Sequence, residues 1–141
     1  MVIGIVGSEG AKFTPETEEK ARVIIRGLLN KATHVVSGKC HLGGIDIWAI
    51  EEAIKRGLTY TEFAPAVLSW EEGYKPRNNL IARNSDTVYC ITLRALPESY
   101  TGMKFGLCYH CGTNDHVKSG GCWTVKRAQA LKKYGEVIVI D

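Results

Sequence analysis

The segment HVKSGGCWTVKRA, residues 116–128, changes character at its centre. Through Gly121 it resists helix formation, because each of two adjacent glycines costs roughly 1 kcal/mol relative to alanine in a helix interior. From Cys122 it reads as a helix closed by Gly135, followed by a strand EVIVI at 136–140. The segment VVSGKCHLGGIDIWA at 35–49 repeats the arrangement, with apolar β-branched residues, a glycine-bearing turn and then a helix-forming run. Two such turns define the likeness to be explained, and the rest of the chain supplies their setting.

Working outward, short apolar runs alternate with segments of helical period. VIGIV at 2–6 is the first strand and runs into Gly7-Ser8-Glu9-Gly10. Thr14, Pro15 and Glu16 supply an N-cap, a first-turn proline and first-turn acid, and Ala21, Ile24, Ile25 and Leu28 mark one face of a helix reaching about Lys31. THVVSG at 33–38 is the second strand, and IDIWAIEEAIKRG at 45–57 a helix with Ile47, Ile50 and Ile54 on one face, closed by Gly57. TYTEFAP at 59–65 is a third strand, followed by a turn-rich connection through Gly73 and Pro76 and a short helix RNNLIARNS at 77–85. DTVYCITL at 86–93 is a fourth strand, LRALPESYTGM at 93–103 a loop or insertion, and MKFGLCYH at 103–110 a candidate fifth strand. This alternation predicts an α/β, three-layer Rossmann-like fold in which a mostly parallel sheet is flanked by helices, with residues 1–141 forming a single domain.

Composition narrows the class. A hydrophobic share of 45% with 23% charged residues is that of a globular protein, and no apolar run approaches the length needed to span a bilayer. MVIGIVG lacks the basic start of a signal peptide and is needed as core, so a cytoplasmic location is expected, with no membrane partner. The net charge of +3 is scattered without a block of like charges, which disfavours nucleic acid as the partner.

In a parallel sheet of this kind, ligands bind beyond the carboxyl ends of the strands. The glycine-bearing turns belong there: Gly7-Ser8, Ser37-Gly38 with Gly43-Gly44, and Ser119-Gly120-Gly121. Glycines let backbone N–H groups face an anion, a helix start adds unpaired donors and partial positive charge, and hydroxyls complete a phosphate cradle. Neither the GxGxxG of dinucleotide-binding folds nor the Gly-Lys-Ser/Thr of a phosphate loop is present.

VVSGKCHLGGIDIWAIEEAIKRGL and SGGCWTVKRA resemble the two signatures of the superfamily joining DNA-processing protein A to the LONELY GUY phosphoribohydrolases, known as SLOG. PRNNLIARNSDTVYCI is similar to the Arg-Asn segment before the Asp-bearing strand of its small stand-alone members, and IVGSEGAKFTPE to their first turn. The resemblance implies a nucleotide or nucleotide-derivative binding protein, a sensor or carrier. It assigns phosphate and ribose contacts to Gly7, Ser8, Ser37, Gly38, Gly43, Gly44, Ser119, Gly120, Gly121 and Thr124. Asp46 would orient a ribose hydroxyl or a loop amide, Arg77 would bring positive charge to a phosphate, and Asn78 would fix the loop holding Arg77. A homodimer paired through helices is also implied by the family.

The departures from that family are chemical. LONELY GUY enzymes have a glutamate three residues after their motif threonine, where this chain has Arg127, and a cation cannot stabilise an oxocarbenium-like ribose. Glu9 stands where an arginine is common, with Lys12 nearby to compensate. Asp46, Glu51 and Glu52 are the remaining carboxylates for a nucleotide-processing activity such as N-glycosidic cleavage, the first alternative; single-stranded DNA binding is the second.

Cys108-x2-Cys111-x4-His116-x5-Cys122 comes within one residue of a zinc-knuckle spacing, with His110 as a further ligand candidate. Zinc, a Cys108–Cys111 disulfide and free thiols are all compatible with that spacing, and Cys122 would fall inside the turn assigned to phosphate. Trp48 and Trp123 follow the two glycine turns at similar distances and fit core packing better than base stacking; Trp70 fits a ligand edge or a loop pin. His34 reads as structural, whereas His41 lies in a glycine loop.

Overall fold

The computed structural model describes residues 1–141. Five strands form one sheet in the order β3-β2-β1-β4-β5, every neighbouring pair parallel: β1 (Val2–Gly7), β2 (His34–Gly38), β3 (Thr59–Phe63), β4 (Thr87–Leu93) and β5 (Tyr134–Ile140). Helices α1 (Pro15–Leu29) and α2 (Ile45–Arg56) pack together on one face, and α3 (Lys75–Arg83) and α4 (Gly121–Ala130) on the other. The architecture is the expected three-layer, Rossmann-like one.

Alternation along the strands feeds both layers. Ile3 and Ile5 of β1, Val35 of β2 and Ile91 and Leu93 of β4 join the core beneath α1 and α2. Val6, Val36, Val88 and Cys90 point the other way, into the core beneath α3 and α4. Burial on both faces is why these strands read as nearly continuous apolar runs. No helix is long and apolar enough to cross a membrane.

Local chemistry sets the helix ends. Thr14 and Thr17 cap α1 reciprocally, the Thr17 N–H donating to Thr14 Oγ1 at 3.1 Å and the Thr14 N–H to Thr17 Oγ1 at 2.8 Å. In α2 the buried seam is Ile45, Trp48, Ala49, Glu52 and Ala53, with Ile50 buried beside it, while Ile54 is 54% exposed. Of the expected Ile47–Ile50–Ile54 face, Ile50 joins the core, Ile47 is only partly buried and Ile54 faces out, because the helix start at Ile45 directs positions i+3, i+4, i+7 and i+8 inward. Glu52 in that seam binds Arg22 at 2.7 Å and Arg26 at 2.9 Å across α1.

Two further expectations are revised. MKFGLCYH forms no strand: residues 94–120 cross the carboxyl rim of the sheet, with Cys108 and Thr113 as their one bridged pair. Met103, Phe105 and Leu107, whose alternation had the look of a strand, are exposed. Helix α4 stops at Ala130, and Lys132 at φ 66° turns the chain into β5, which already contains Gly135. Gly135 is a packing residue there: a Cβ on it would meet Val125 O at 2.8 Å.

Candidate functional site

The chain proceeds from β1 outward to β3 and then returns to place β4 on the other side of β1, so the strand order reverses between β1 and β4. A crevice at the carboxyl ends of the strands follows from this reversal. It is occupied by a cavity of about 540 Å³, lined at its base by Gly7, Ser8 and the Ser119-Gly120-Gly121 turn.

Close backbone approach builds that base. A Cβ on Gly121 would meet Cys90 Sγ at 2.8 Å and Val6 Cγ2 at 3.0 Å, so glycine lets the start of α4 sit against β1 and β4. The Ser8 hydroxyl pairs with Thr92 Oγ1 at 2.8 Å, and the Gly121 N–H donates to Ser119 Oγ at 3.1 Å. Much of the amide cluster expected to face an anion is thereby satisfied within the chain: the Gly7 N–H donates to Asp46 Oδ1 at 3.2 Å and the Ser8 N–H to Ile91 O at 3.1 Å. The Glu9 and Gly120 amides make no hydrogen bond within the chain.

Charged side chains surround those amides. Arg77 and Asp46 are both buried and both line the cavity. Arg77 Nε donates to Asn78 Oδ1 at 2.8 Å and Nη1 to Phe63 O at 3.0 Å, while Nη2 lies 4.0 Å from Asp46 Oδ2. Asn78 thus holds the guanidinium directly. Burial pushes the Asp46 carboxyl up to about 7, although Arg77 and the Gly7 N–H pull it the other way. Lys12 donates to Lys118 O at 3.3 Å, and burial lowers its pKa. Glu9 accepts a hydrogen bond from the Tyr100 hydroxyl at 3.2 Å.

The outer wall is aromatic. Trp70 and Tyr74, from the π-helical turn Trp70–Tyr74 ahead of α3, face Tyr100, Phe105 and Tyr109 from the 94–120 segment. Lys118 lies over the Phe105 and Tyr109 rings at 5.0 and 5.1 Å. None of these residues except Trp70 stood out in the sequence. Lys118, directly before Ser119, carried a readable signal as a cation beside a glycine turn; the aromatics of 100–109 belong to no motif.

Gly7, Ser8, Asp46, Arg77, Asn78, Ser119, Gly120 and Gly121 therefore share one cavity. Ser37, Gly38, Gly43, Gly44 and Thr124 do not line it. The Ser37 hydroxyl donates to Ile5 O at 2.6 Å, and Gly44, at φ 88°, is packed on the backbone of Ser8, Glu9 and Gly10. Gly38 gives room to Arg77 and Asp46, Gly43 at φ 71° has open space at its Cβ, and Thr124 is fully buried in α4. Glu51 and Glu52 lie outside the cavity, bound to Arg22 at 2.8 and 2.7 Å. Arg127 donates to Asn79 Oδ1 at 2.7 Å, tying α4 to α3.

Trp48 is core, edge-on to Phe13 at 4.9 Å, and Trp123 packs edge-on to Trp70 at 5.8 Å. His34 bridges Thr59 and Thr61 of β3 at 2.7 Å each, and His41 is exposed outside the cavity.

Behind the base of the cavity, the ligand atoms of Cys108, Cys111, His116 and Cys122 all lie within 4.8 Å of one another, a set that one metal ion can bridge. All five cysteines are free thiols. His110 is outside the set, its ring 4.5 Å from Tyr109 and 5.2 Å from Trp70.

Fold and site together define a Rossmann-like α/β protein with a mixed-charge, aromatic-walled cavity at its strand-order switch point. No protein-family model matches the chain, and no curated protein matches it in sequence. Among solved structures it is similar in fold to the molybdenum cofactor carrier protein of Chlamydomonas reinhardtii, with a TM-score of 0.60 and 16% identity over 98% of this chain and 74% of that one.

Proposed function

We propose that the chain binds a phosphate-bearing heterocyclic small molecule, a nucleotide or nucleotide derivative, as a carrier or sensor, and that it is a SLOG-like protein. One observation carries this reading. The Glu9 and Gly120 amides, three cations (Lys12, Arg77 and Lys118) and an aromatic wall converge on one cavity at the strand-order reversal. A phosphate fits the amides and lysines at the start of α4. Trp70, Tyr74 and Tyr109 offer π-faces to a planar ring. Glu9, an acceptor already hydrogen-bonded to Tyr100, suits sugar hydroxyls rather than phosphate.

The fold neighbour's role as a molybdenum cofactor carrier supports the carrier form of this reading and makes that cofactor a second ligand to test. Processing of the ligand would fall to Glu9 or Asp46, the carboxylates lining the cavity, since Glu51 and Glu52 are committed to arginines. Single-stranded DNA fits less well, because it needs an open basic groove with exposed stacking residues.

The test is thermal stabilisation by a panel of nucleoside mono-, di- and triphosphates, the matching nucleosides and the molybdenum cofactor. A ligand at 100 times its dissociation constant adds about 2.7 kcal/mol, a shift of several degrees for a domain of this size. Phosphate-bearing members are expected to stabilise and nucleosides far less. A panel in which no phosphate-bearing compound stabilises overturns the proposal, and release of free base from a bound nucleotide would convert the carrier into an enzyme.

A further inference from the structure

We propose that Cys108, Cys111, His116 and Cys122 hold one structural zinc ion, which staples residues 94–120 to the start of α4. The four donor atoms lie within 4.8 Å of one another. The Cys122 Sγ to His116 Nε2 separation is 3.6 Å. A tetrahedral ion with Zn–S of about 2.3 Å and Zn–N of about 2.0 Å requires an S···N edge of roughly 3.5 Å.

The surrounding backbone and side chains orient these donors. Cys108-Tyr109-His110-Cys111-Gly112 folds as a tight knuckle: the Cys111 and Gly112 N–H groups donate to Cys108 O at 3.1 and 2.7 Å, and Gly112 takes φ 72°. His116 Nδ1 pairs with Asp115 Oδ1 at 2.8 Å, and Asp115 is held by the Thr113 hydroxyl at 2.7 Å. That pairing puts the ring proton on Nδ1 and leaves the Nε2 lone pair toward the sulfurs, the carboxylate–histidine support usual behind a metal ligand.

Three thiolates and an imidazole make a soft, closed set with no open position, which selects zinc in a structural role over magnesium or calcium and over a catalytic site. The staple also fixes residues 94–120, a long segment without helix or strand of the kind a chain rarely keeps ordered unaided. The two uses of the 119–122 turn do not compete. Gly120 lines the cavity, whereas Cys122 is fully buried in the core beneath α3 and α4.

The experiment is metal analysis of the full chain, purified in reductant without chelator, followed by unfolding, chelation and refolding with cobalt(II). About one zinc ion per chain is expected, and the cobalt form should show the intense visible bands of tetrahedral thiolate coordination. Cys111→Ser and His116→Gln should lose those bands or weaken metal affinity at least tenfold, while His110→Ala keeps both. Removing the metal should expose residues 94–120 to protease while the far-ultraviolet circular dichroism of the sheet and helices persists. Zinc at trace levels together with no cobalt uptake by fully reduced, folded protein overturns the proposal. So does a Cys108–Cys111 disulfide found in protein trapped directly from cells. Every one of these readouts is independent of whether a nucleotide binds.

Discussion

Asp46 and Arg77 face each other at 4.0 Å in the cavity, and a methyl group on Gly38 would overlap both. Glycine at the end of β2 is thus a condition for the buried pair. Gly38→Ala is expected to cost about 1–3 kcal/mol through overpacking and to weaken binding of a phosphate-bearing ligand by displacing the guanidinium. Denaturant unfolding and ligand titration on the same variant check the two effects together.

Burial raises the Asp46 carboxyl to about 7, which has a sign for stability. Between its ordinary range near 4 and about 7, the folded state holds a proton that the unfolded state has released. Asp46 therefore lowers stability as pH rises across that window, by at most about 1.4 kcal/mol per pH unit, and contributes no slope above it. Asp46→Asn should remove this slope, seen as a difference between the two proteins' denaturation curves against pH. An anion bound beside Asp46 would raise its pKa further, so wild-type affinity should fall as pH climbs past about 7, and that of the asparagine variant should not.

The two diglycine turns differ in what their glycines permit. A Cβ on Gly120 meets only Trp70 at 3.6 Å and Asn78 at 4.0 Å, so Gly120→Val should fold and lose ligand affinity by intruding into the cavity. Gly44 combines φ 88° with backbone contact to the first turn, and Gly44→Val should instead lower the melting temperature strongly. Thermal melts with and without ligand separate these outcomes.

Glu52 is a structural carboxylate in this account. Glu52→Ala leaves Arg22 and Arg26 without their shared partner and should destabilise by on the order of 1–3 kcal/mol, with ligand affinity unchanged at a temperature where the variant is folded. Calorimetric titration beside a melt checks both.

The layered α/β plan was legible because the three central strands, β1, β2 and β4, are buried on both faces and each long helix carries its own start signal, as at Thr14-Pro15 and at Gly44 before Ile45. The glycine turns at 7–8 and 119–121 could be placed at the carboxyl rim for the same reason. What those turns do locally was not legible. Whether an amide such as Gly7 or Ser8 faces outward depends on Asp46 and Ile91, which lie 39 and more residues away along the chain. Met103, Phe105 and Leu107 alternate like a strand, yet the knuckle at 108–112 and the contacts of Tyr100 leave all three exposed, with Met103 and Phe105 along the cavity rim. Ile54 misled in a simpler way, since an apolar residue one position off the seam of α2 has the period of a core residue but faces water.

The most direct measurement is amide nitrogen–proton correlation spectroscopy of the reduced, metal-replete protein titrated with adenosine diphosphate and, in parallel, with adenosine. The account expects saturable shifts led by the Glu9 and Gly120 amides for the diphosphate and little change there for the nucleoside. Saturable diphosphate shifts confined to residues outside the cavity, with Glu9 and Gly120 unmoved, would contradict it.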